Sequence, residues 1–239
     1  AVTVFNTKGF ASDEAVCLGQ LDAAALVDAD GARYPVQQTA EGAVAFLPAL
    51  PAKGWRAYSV SNQPEPCAAP FALADDHHLE TPYYTVELDE NGLLSRLYDK
   101  ENCREVLRPG QRGNLMRMYE DKPMHYDNWD IDCYYTEKFW DVTDVQRMEW
   151  TERGPVRATL EIERKVSRSV ICQKIHFYAV CPRIDFETTV DWKEHQHLLK
   201  AHFPMDVHTD EATCEIQFGN VTRKTHQNTS WDQARFESC

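Results

Sequence analysis

The chain has 239 residues, 43% of them apolar, so it can bury one large or two modest hydrophobic cores. Its net charge of −13 disfavours binding to the anionic backbones of nucleic acids and to anionic membranes. No apolar run approaches the roughly 18 residues of a membrane-spanning helix, and the first residues lack the basic and apolar regions of a signal peptide. We therefore expect no nucleic-acid or membrane partner and a cytoplasmic location, where an acidic balance is common.

Eight cysteines are spread along the chain without a Cys-x-x-Cys pair, which argues against a structural zinc site of the common spacing. Cys172, Cys181 and Cys214 fall within apolar, strand-like patterns. We therefore expect buried free thiols in a reducing compartment rather than disulfides.

The first part of the chain consists of short strand-like runs separated by turn residues. The runs begin at Val2 and end near Val60, and residues 28–31 (DADG) between two of them are typical of a hairpin turn. This spacing predicts a small β-sandwich over residues 1–62. Residues 63–78 include three prolines and predict a linker.

Longer runs that alternate apolar and polar residues follow from residue 79 to residue 239. They predict strands over residues 83–88, 93–99, 156–166, 170–180 and 184–192. Alternation over residues 203–208 and 212–218 predicts two further strands, and the polar residues 220–232 predict a loop. A helical tendency is confined to short stretches such as residues 99–107. The fold class is therefore predicted to be all-β, with a second domain over residues 79–239.

The densest group of chemically useful side chains lies within this second domain. Three carboxylates and three aromatic rings fall within nine residues: Asp127, Trp129, Asp130, Asp132, Tyr134 and Tyr135. An aromatic ring can stack on the apolar face of a pyranose while carboxylates accept hydrogen bonds from its hydroxyls. Nearby carboxylates can also act as acid and base, or chelate a hard cation. The alternative is structural, with the aspartates capping turns and the rings packing a core.

A second polar group follows the last predicted strand. Its candidates for lining a sugar site are Arg223, His226, Asn228, Trp231 and Asp232, with Arg235 beyond them. The alternative is a loop that packs against a neighbouring domain. His195 and His197 would face the same side of a strand, as two metal ligands can, but alternating histidines on a solvent-facing strand are more common.

Several longer motifs resemble one family of enzymes. They cover residues 83–88 (YYTVEL), 91–99 (NGLLSRLYD), 126–132 (YDNWDID), 200–208 (KAHFPMDVH), 214–221 (CEIQFGNV) and 225–237 (THQNTSWDQARFE). Together they resemble the C-terminal β region of glycoside hydrolase family 38 α-mannosidases. Residues 1–62 resemble the small sandwich that precedes this region, so the resemblance covers nearly the whole chain.

The resemblance implies a fold and an activity for a longer protein. The implied fold is a small β-sandwich followed by part of a large antiparallel super-sandwich similar to galactose mutarotase, which would continue past residue 239. The implied activity is that of a retaining α-mannosidase acting on terminal α-mannosyl residues. Its nucleophile and its divalent metal, usually zinc, belong to an N-terminal catalytic domain. No catalytic residue, cofactor or metal ligand is therefore assigned to the present residues.

We therefore expect a non-catalytic β portion, inactive alone, that supports the catalytic domain of the same chain and rims its substrate cleft. The implied ligands are mannosides or oligosaccharides. The rim candidates are Asp127, Trp129, Asp130, Asp132, Arg223, His226, Asn228, Trp231 and Asp232. Alternatives are a stand-alone carbohydrate-binding module and, by analogy of fold alone, an epimerase or mutarotase. Association into a homo-oligomer is left open.

Overall fold

The structure, a computed structural model, describes residues 1–63, 71–127 and 129–233. These residues form antiparallel sheets with one 3-10 helix and one short α-helix, α1 (Ser230–Gln233). The all-β prediction is confirmed.

The first part forms a six-stranded sheet curled around its own core. Its strands are β1 (Val2–Asn6), β2 (Ser12–Cys17), β3 (Ala25–Val27), β4 (Arg33–Thr39), β5 (Gly42–Leu50) and β6 (Gly54–Ser61), in the order β1-β6-β3-β4-β5-β2. Leu26, Leu47 and Tyr58 are among the buried residues of its core. The predicted DADG turn is present: the Asp28 carboxylate accepts backbone hydrogen bonds from Asp30 and Ala32. We call residues 1–62 the small unit.

A five-stranded sheet opens the second part. Its strands are β7 (Ala72–Asp75), β8 (His78–Glu80), β9 (Tyr84–Leu88), β10 (Leu94–Asp99) and β11 (Arg104–Glu105), in the order β11-β10-β9-β8-β7. Strand β7 lies inside the predicted linker, and residues 64–70 of that linker lie outside the described residues. The domain boundary at residues 63–78 thus stays a prediction.

The helical tendency over residues 99–107 was a wrong prediction. The Asp99 carboxylate accepts the backbone N–H groups of Glu101 and Asn102 and so closes a turn. Cys103 then has a positive φ of 52°, which a right-handed helix does not allow, and β11 follows directly.

A four-stranded sheet forms the centre of the second part. Its strands are β14 (Asp144–Arg153), β15 (Arg157–Val166), β16 (Ser169–Tyr178) and β17 (Ile184–Asp191), paired in chain order. One face carries Leu160, Ile162, Ile175 and Phe177, which are fully buried against residues of the five-stranded sheet such as Val86. Each such side chain contributes roughly 1.5–3 kcal/mol by burial.

A three-stranded sheet packs against the far end of the central sheet. Its strands are β12 (Leu115–Glu120), β13 (Phe139–Asp141) and β18 (His197–His202), in the order β13-β12-β18. Met116 and Met118 of β12 point into a core shared with Val166 and Ile171 of the central sheet. Residues of β12 with odd numbers therefore lie on the opposite face, away from this core.

Two predictions near the C-terminal end were wrong. Residues 203–208 hold an isolated bridge between Met205 and Leu107 instead of a strand. Pro204 has no N–H to give to a ladder, which accounts for the end of β18 at His202. Residues 220–224, predicted to lie in a loop, belong to β20 (Gly219–Lys224), which pairs with β19 (Glu211–Ile216).

The six described cysteines are free thiols, and they are half-buried or exposed: Cys17, Cys103, Cys133, Cys172, Cys181 and Cys214. The prediction of buried thiols is therefore wrong for these six. Cys67 and Cys239 lie outside the described residues. Neither of the helices in the described residues has the length and apolar character that a membrane crossing needs.

One buried side chain connects the small unit to the central sheet. Gln37 of β4 accepts hydrogen bonds from the backbone N–H groups of Val156 (3.0 Å) and Arg157 (2.9 Å), and its amide donates to the Arg157 carbonyl (3.0 Å). Gly154 leaves the space for it, since a Cβ there would lie 2.3 Å from the Gln37 amide carbon. The side chain thus satisfies two backbone N–H groups that would otherwise be unpaired, and it adds a second donor to the Arg157 carbonyl, which also accepts the Gly154 N–H.

A buried arginine supports the turn between β9 and β10. Arg164 is fully buried and donates to the Asn91 carbonyl at 2.8 Å. Burial lowers the pKa of Arg164 to about 10, an effect that the Asp89 carboxylate opposes. Gly92 in this turn has a φ of +67°, and a Cβ there would lie 2.6 Å from the Ile162 methyl carbon. The turn therefore requires glycine for its backbone and for its space.

Replacing Gln37 with alanine should lower the free energy of unfolding by about 2–4 kcal/mol, because the backbone N–H groups of Val156 and Arg157 lose their acceptor. The matched control is Gln38→Ala, since Gln38 donates to the carbonyls of Leu21 and Ala23 within the small unit. Urea denaturation of both variants measures the difference. An equal or smaller loss for Gln37→Ala would contradict the bridging role.

Replacing Gly92 with alanine should destabilise the chain more than Gly110→Ala does. Both glycines have a positive φ, so both variants lose about 1 kcal/mol to backbone strain. A Cβ at Gly110 meets open space, whereas one at Gly92 presses on Ile162 and Met148 and costs about 1–2 kcal/mol more. Thermal unfolding of the two variants side by side tests this, and equal losses would show that the core yields without cost.

Candidate functional site

The segment between β12 and β13, residues 121–138, carries the first group of predicted site residues; we call it the acidic loop. Its two ends are tied together, because Glu120 donates its backbone N–H to the Lys138 carbonyl at 3.0 Å. The Glu120 carboxylate also accepts Lys138 at 2.8 Å and Lys122 at 3.0 Å. These hydrogen bonds, that of Lys138 first, lower the pKa of Glu120 to about 2. The loop therefore starts and ends at one fixed point of the sheet.

A half-buried tyrosine holds the middle of the acidic loop against the three-stranded sheet. Tyr135 lies in the 3-10 helix Cys133–Glu137 and meets the ring of Tyr119 edge-on, with 5.2 Å between ring centroids. Lys200 of β18 donates to the Tyr135 hydroxyl at 2.9 Å and lies 5.0 Å from its ring centroid. An edge-on ring pair and a cation over a ring each stabilise such packing by about 0.5–1.5 kcal/mol.

Polar and charged groups continue along the same face of the sheet. The Tyr119 hydroxyl lies 2.7 Å from Nε2 of His202. Burial, together with the nearby Arg117 and Lys200 cations, lowers the pKa of His202. The imidazole is therefore neutral at pH 7 and can accept the Tyr119 hydroxyl. We call Tyr119, Tyr135, Lys200 and His202 the aromatic base of the loop.

Three of the four predicted residues of the acidic loop are exposed to solvent, and Asp132 is half-buried. Trp129 is 86% exposed. Its backbone N–H and that of Asp130 both donate to the Tyr126 carbonyl, at 2.6 and 2.9 Å. Asp132 accepts the Met124 backbone N–H at 2.9 Å, whereas Asp127 is exposed. The structure thus gathers the four predicted side chains on one short loop and leaves Trp129, Asp127 and Asp130 accessible.

One carboxyl group of this loop was missed by the sequence analysis. Asp121 is half-buried, and its Oδ1 atom is buried without a hydrogen-bond partner among the described residues. Burial, reinforced by the charges of Asp127 and Asp132, raises the pKa of Asp121. Asp121 lies outside the Asp-rich motif, and no sequence pattern indicates that the fold brings Asp127 and Asp132 close to it.

The second predicted group lies at the far end of the described chain. Arg223 is half-buried on β20, where it pairs in register with Ala212. Asp232 accepts the Thr229 hydroxyl at 2.7 Å and backbone N–H at 3.2 Å, while the Thr229 hydroxyl accepts the Asp232 N–H at 3.2 Å. This reciprocal pattern is a capping box at the start of α1. The contacts of Asp232 therefore support the structural alternative for that carboxylate.

The remaining members of the second group lie near this cap. His226 approaches the Asp232 carboxylate at 3.6 Å, Asn228 is exposed, and Trp231 is 81% exposed. Within the second group, the structure thus places His226 beside Asp232. That the two groups rim one cleft stays a prediction, and Arg235 lies outside the described residues.

The histidines do not form a metal centre within the described residues. His197 directs its Nδ1 toward the His195 carbonyl at 2.6 Å, a contact between residues two apart in the chain. Within the described ranges, no group of three or more His, Cys, Asp or Glu side chains is arranged to hold a metal ion. The resemblance places the zinc in another domain. We therefore assign no chemical step of the described residues to a metal.

The match to known proteins centres on the second part of the chain. The family model described as "Glycosyl hydrolases family 38 C-terminal domain" matches residues 79–239. Alpha-mannosidase 2C1 of Homo sapiens is 35% identical over 161 residues, which are 66% of this chain and 16% of that protein. Alpha-mannosidase G of Dictyostelium discoideum is 29% identical over 215 residues, which are 79% of this chain and 19% of that protein. The chain therefore spans less than a fifth of the length of these relatives.

A solved structure agrees with the fold. The crystal structure of an α-mannosidase from Enterococcus faecalis superposes with a TM-score of 0.64, covering 96% of this chain and 34% of that one, at 13% sequence identity. At this identity the likeness shows the fold alone. The family model, by contrast, matches well over half of the chain. The chain belongs to the family of glycoside hydrolase family 38 C-terminal domains found in α-mannosidases.

Proposed function

We propose that this chain is the non-catalytic β portion of a retaining α-mannosidase that removes terminal α-mannosyl residues from mannosides or oligosaccharides. Family membership and the names of its relatives support the enzyme class. The acidic loop is the observation that carries the role of this portion, since it presents aromatic and carboxylate groups to solvent on a fixed support. The nucleophile and a divalent metal, usually zinc, would then lie in another part of a longer protein.

The support beneath the acidic loop suits it to a rim role. A binding group that is mobile before it meets its ligand loses conformational entropy on binding, so a restrained loop binds more tightly. The Glu120–Lys138 tie and the Tyr135–Lys200 contact restrain the loop at its ends and its middle. Only its outer part, with Trp129 and Asp130, is left to meet a substrate.

The exposed groups of the loop match the surface of a pyranose. The Trp129 ring offers an apolar plane for the C–H face of a sugar ring. Asp127 and Asp130 are exposed acceptors for the hydroxyl groups at its edge. The loop therefore contributes binding and positioning in this proposal, and it takes no part in bond cleavage.

The same exposed rings favour a second candidate, a stand-alone carbohydrate-binding module. That function needs no other part of the protein, so this chain alone would bind mannobiose through Trp129 or Trp231. If the chain instead supports a catalytic domain, loss of Trp129 should lower the rate of hydrolysis by the longer protein. We further propose a cytoplasmic location, which the six free thiols among the described cysteines support.

This chain alone should not hydrolyse an aryl α-mannoside, because the proposed nucleophile and metal lie elsewhere. The longer protein that contains it should turn the same substrate over. Release of the aryl group, followed by absorbance, measures both. Hydrolysis by this chain at a rate near that of the longer protein would overturn the assignment of the chain as non-catalytic.

In the longer protein, Trp129→Ala should lower kcat/KM for an α-mannoside about tenfold, which corresponds to the loss of about 1.4 kcal/mol of stacking. Phe218→Ala is the matched control, because Phe218 is a fully exposed ring in the turn between β19 and β20, outside the acidic loop. Steady-state kinetics on both variants tests the loop. Equal kcat/KM values for the two variants would remove Trp129 from the rim.

A further inference from the structure

A groove lies between the two edge strands of the small unit. Strands β1 and β2 are the ends of the pairing order β1-β6-β3-β4-β5-β2, so each pairs with one neighbour only. The groove between them has a volume of about 320 Å³. It is lined by Val4, Phe5, Asn6, Thr7, Lys8, Glu14, Ala15, Val16, Cys17 and Leu50. A space of this size is at the lower end of those that hold small ligands.

Polar groups line one end of the groove. Lys8 and Glu14 form an ion pair that joins the turn after β1 to β2, and this contact lowers the pKa of Glu14. Thr7 adds a hydroxyl, and the unpaired edges of β1 and β2 add backbone N–H and C=O groups. Asn6 is already occupied, because its amide donates to the carbonyls of Phe10 (2.9 Å) and Leu50 (3.1 Å). The walls therefore offer both donors and acceptors.

An aromatic platform adjoins the groove. Phe5 lines the groove and pairs directly with Trp55 of β6, so both side chains lie on the outer face of the sheet. Phe5 is 69% exposed and Trp55 is 60% exposed. Adjacent strands lie about 4.8 Å apart, which is close to the length of one pyranose ring. The groove, Phe5 and Trp55 thus form a line on which successive sugar units can lie.

We propose that this line is a second saccharide site, separate from the acidic loop, that binds a short neutral mannose oligosaccharide. One sugar unit would occupy the groove, with hydroxyls on Lys8, Glu14 and the strand edges, and the next would stack on Phe5 and Trp55. The choice of mannose rests on the proposed function. The residues themselves favour a neutral polyol, because the groove presents charges of both signs and an aromatic plane.

The surroundings of the platform favour a sugar over a docked protein surface. The neighbours that share the outer face of these two strands are Thr3, Ala57 and Ser59, which are small or polar. A protein interface core normally combines aromatic rings with large aliphatic side chains. Two rings among small or polar neighbours are instead suited to planar, amphipathic sugar rings.

Titration of this chain with methyl α-mannoside and with mannobiose tests the site. Calorimetry gives the affinity, and amide shifts in NMR spectra place the ligand. Mannobiose should bind more tightly than the monosaccharide and should shift residues of β1, β2 and β6. Phe5→Ala and Trp55→Ala should each weaken mannobiose binding about tenfold. Phe218→Ala removes a still more exposed ring, in the turn between β19 and β20, and should change nothing.

Three outcomes would overturn the site: absence of binding, loss of binding in Trp129→Ala but not in Phe5→Ala or Trp55→Ala, and shifts confined to the acidic loop. Unchanged backbone spectra of the variants verify that they are folded. The proposed function is measured separately, by hydrolysis in the longer protein. If the longer protein does not hydrolyse an α-mannoside but mannobiose still binds at Phe5 and Trp55, the proposed function is contradicted and the saccharide site is supported.

Discussion

The burial of one whole face of the central strands β15 and β16 is the constraint on which the rest of the structure depends. One face of β15 and β16 packs against the five-stranded and three-stranded sheets. The other face is met at one end by the small unit, through Gln37 and an apolar contact of Val44 with Val156 and Tyr178. A strand with one buried face cannot shift its register by one residue without exposing its core side chains, so the sheets that pack against it are held in a fixed position.

That fixed position explains why a long irregular loop can carry a defined surface. Strand β12 pairs on both sides and is therefore internal to its sheet, and Tyr119 at its end is buried. The acidic loop begins directly after β12 and ends at β13, which pairs with β12. Both ends of the loop are therefore held by the same internal strand. Tyr135 and Lys200 then restrain its middle. The fold restrains only the base of the loop, and the exposed Trp129 and Asp130 lie beyond these anchors.

Features of the structure that depend on neighbouring residues could be predicted from the sequence, whereas features that depend on residues far apart in the chain could not. Alternation over residues 156–166 and 170–180 predicted long strands correctly, because the period reports local burial. Residues 203–208 alternate as well, but Pro204 has no backbone N–H to donate to a neighbouring strand. No strand forms there despite the alternation. In the site, Trp129 and its neighbouring aspartates were predicted because they are adjacent in sequence. Lys200 and His202 reach Tyr135 and Tyr119 only through the register of β12 with β18, and no local pattern encodes that pairing.

The contacts of the carboxylates separate the two predicted groups. An oxygen atom that already accepts hydrogen bonds in a helix cap gives less to a sugar hydroxyl, since binding would require the cap to open. Asp232 is such a group, and Asp132 similarly accepts the Met124 N–H. Asp127 and Asp130 instead extend from the loop beside an exposed indole, and Asp127 adds to the charge that raises the pKa of Asp121. A cationic or hydroxyl-bearing ligand placed there would relieve that repulsion, which gives the acidic loop the stronger physical case as a binding surface.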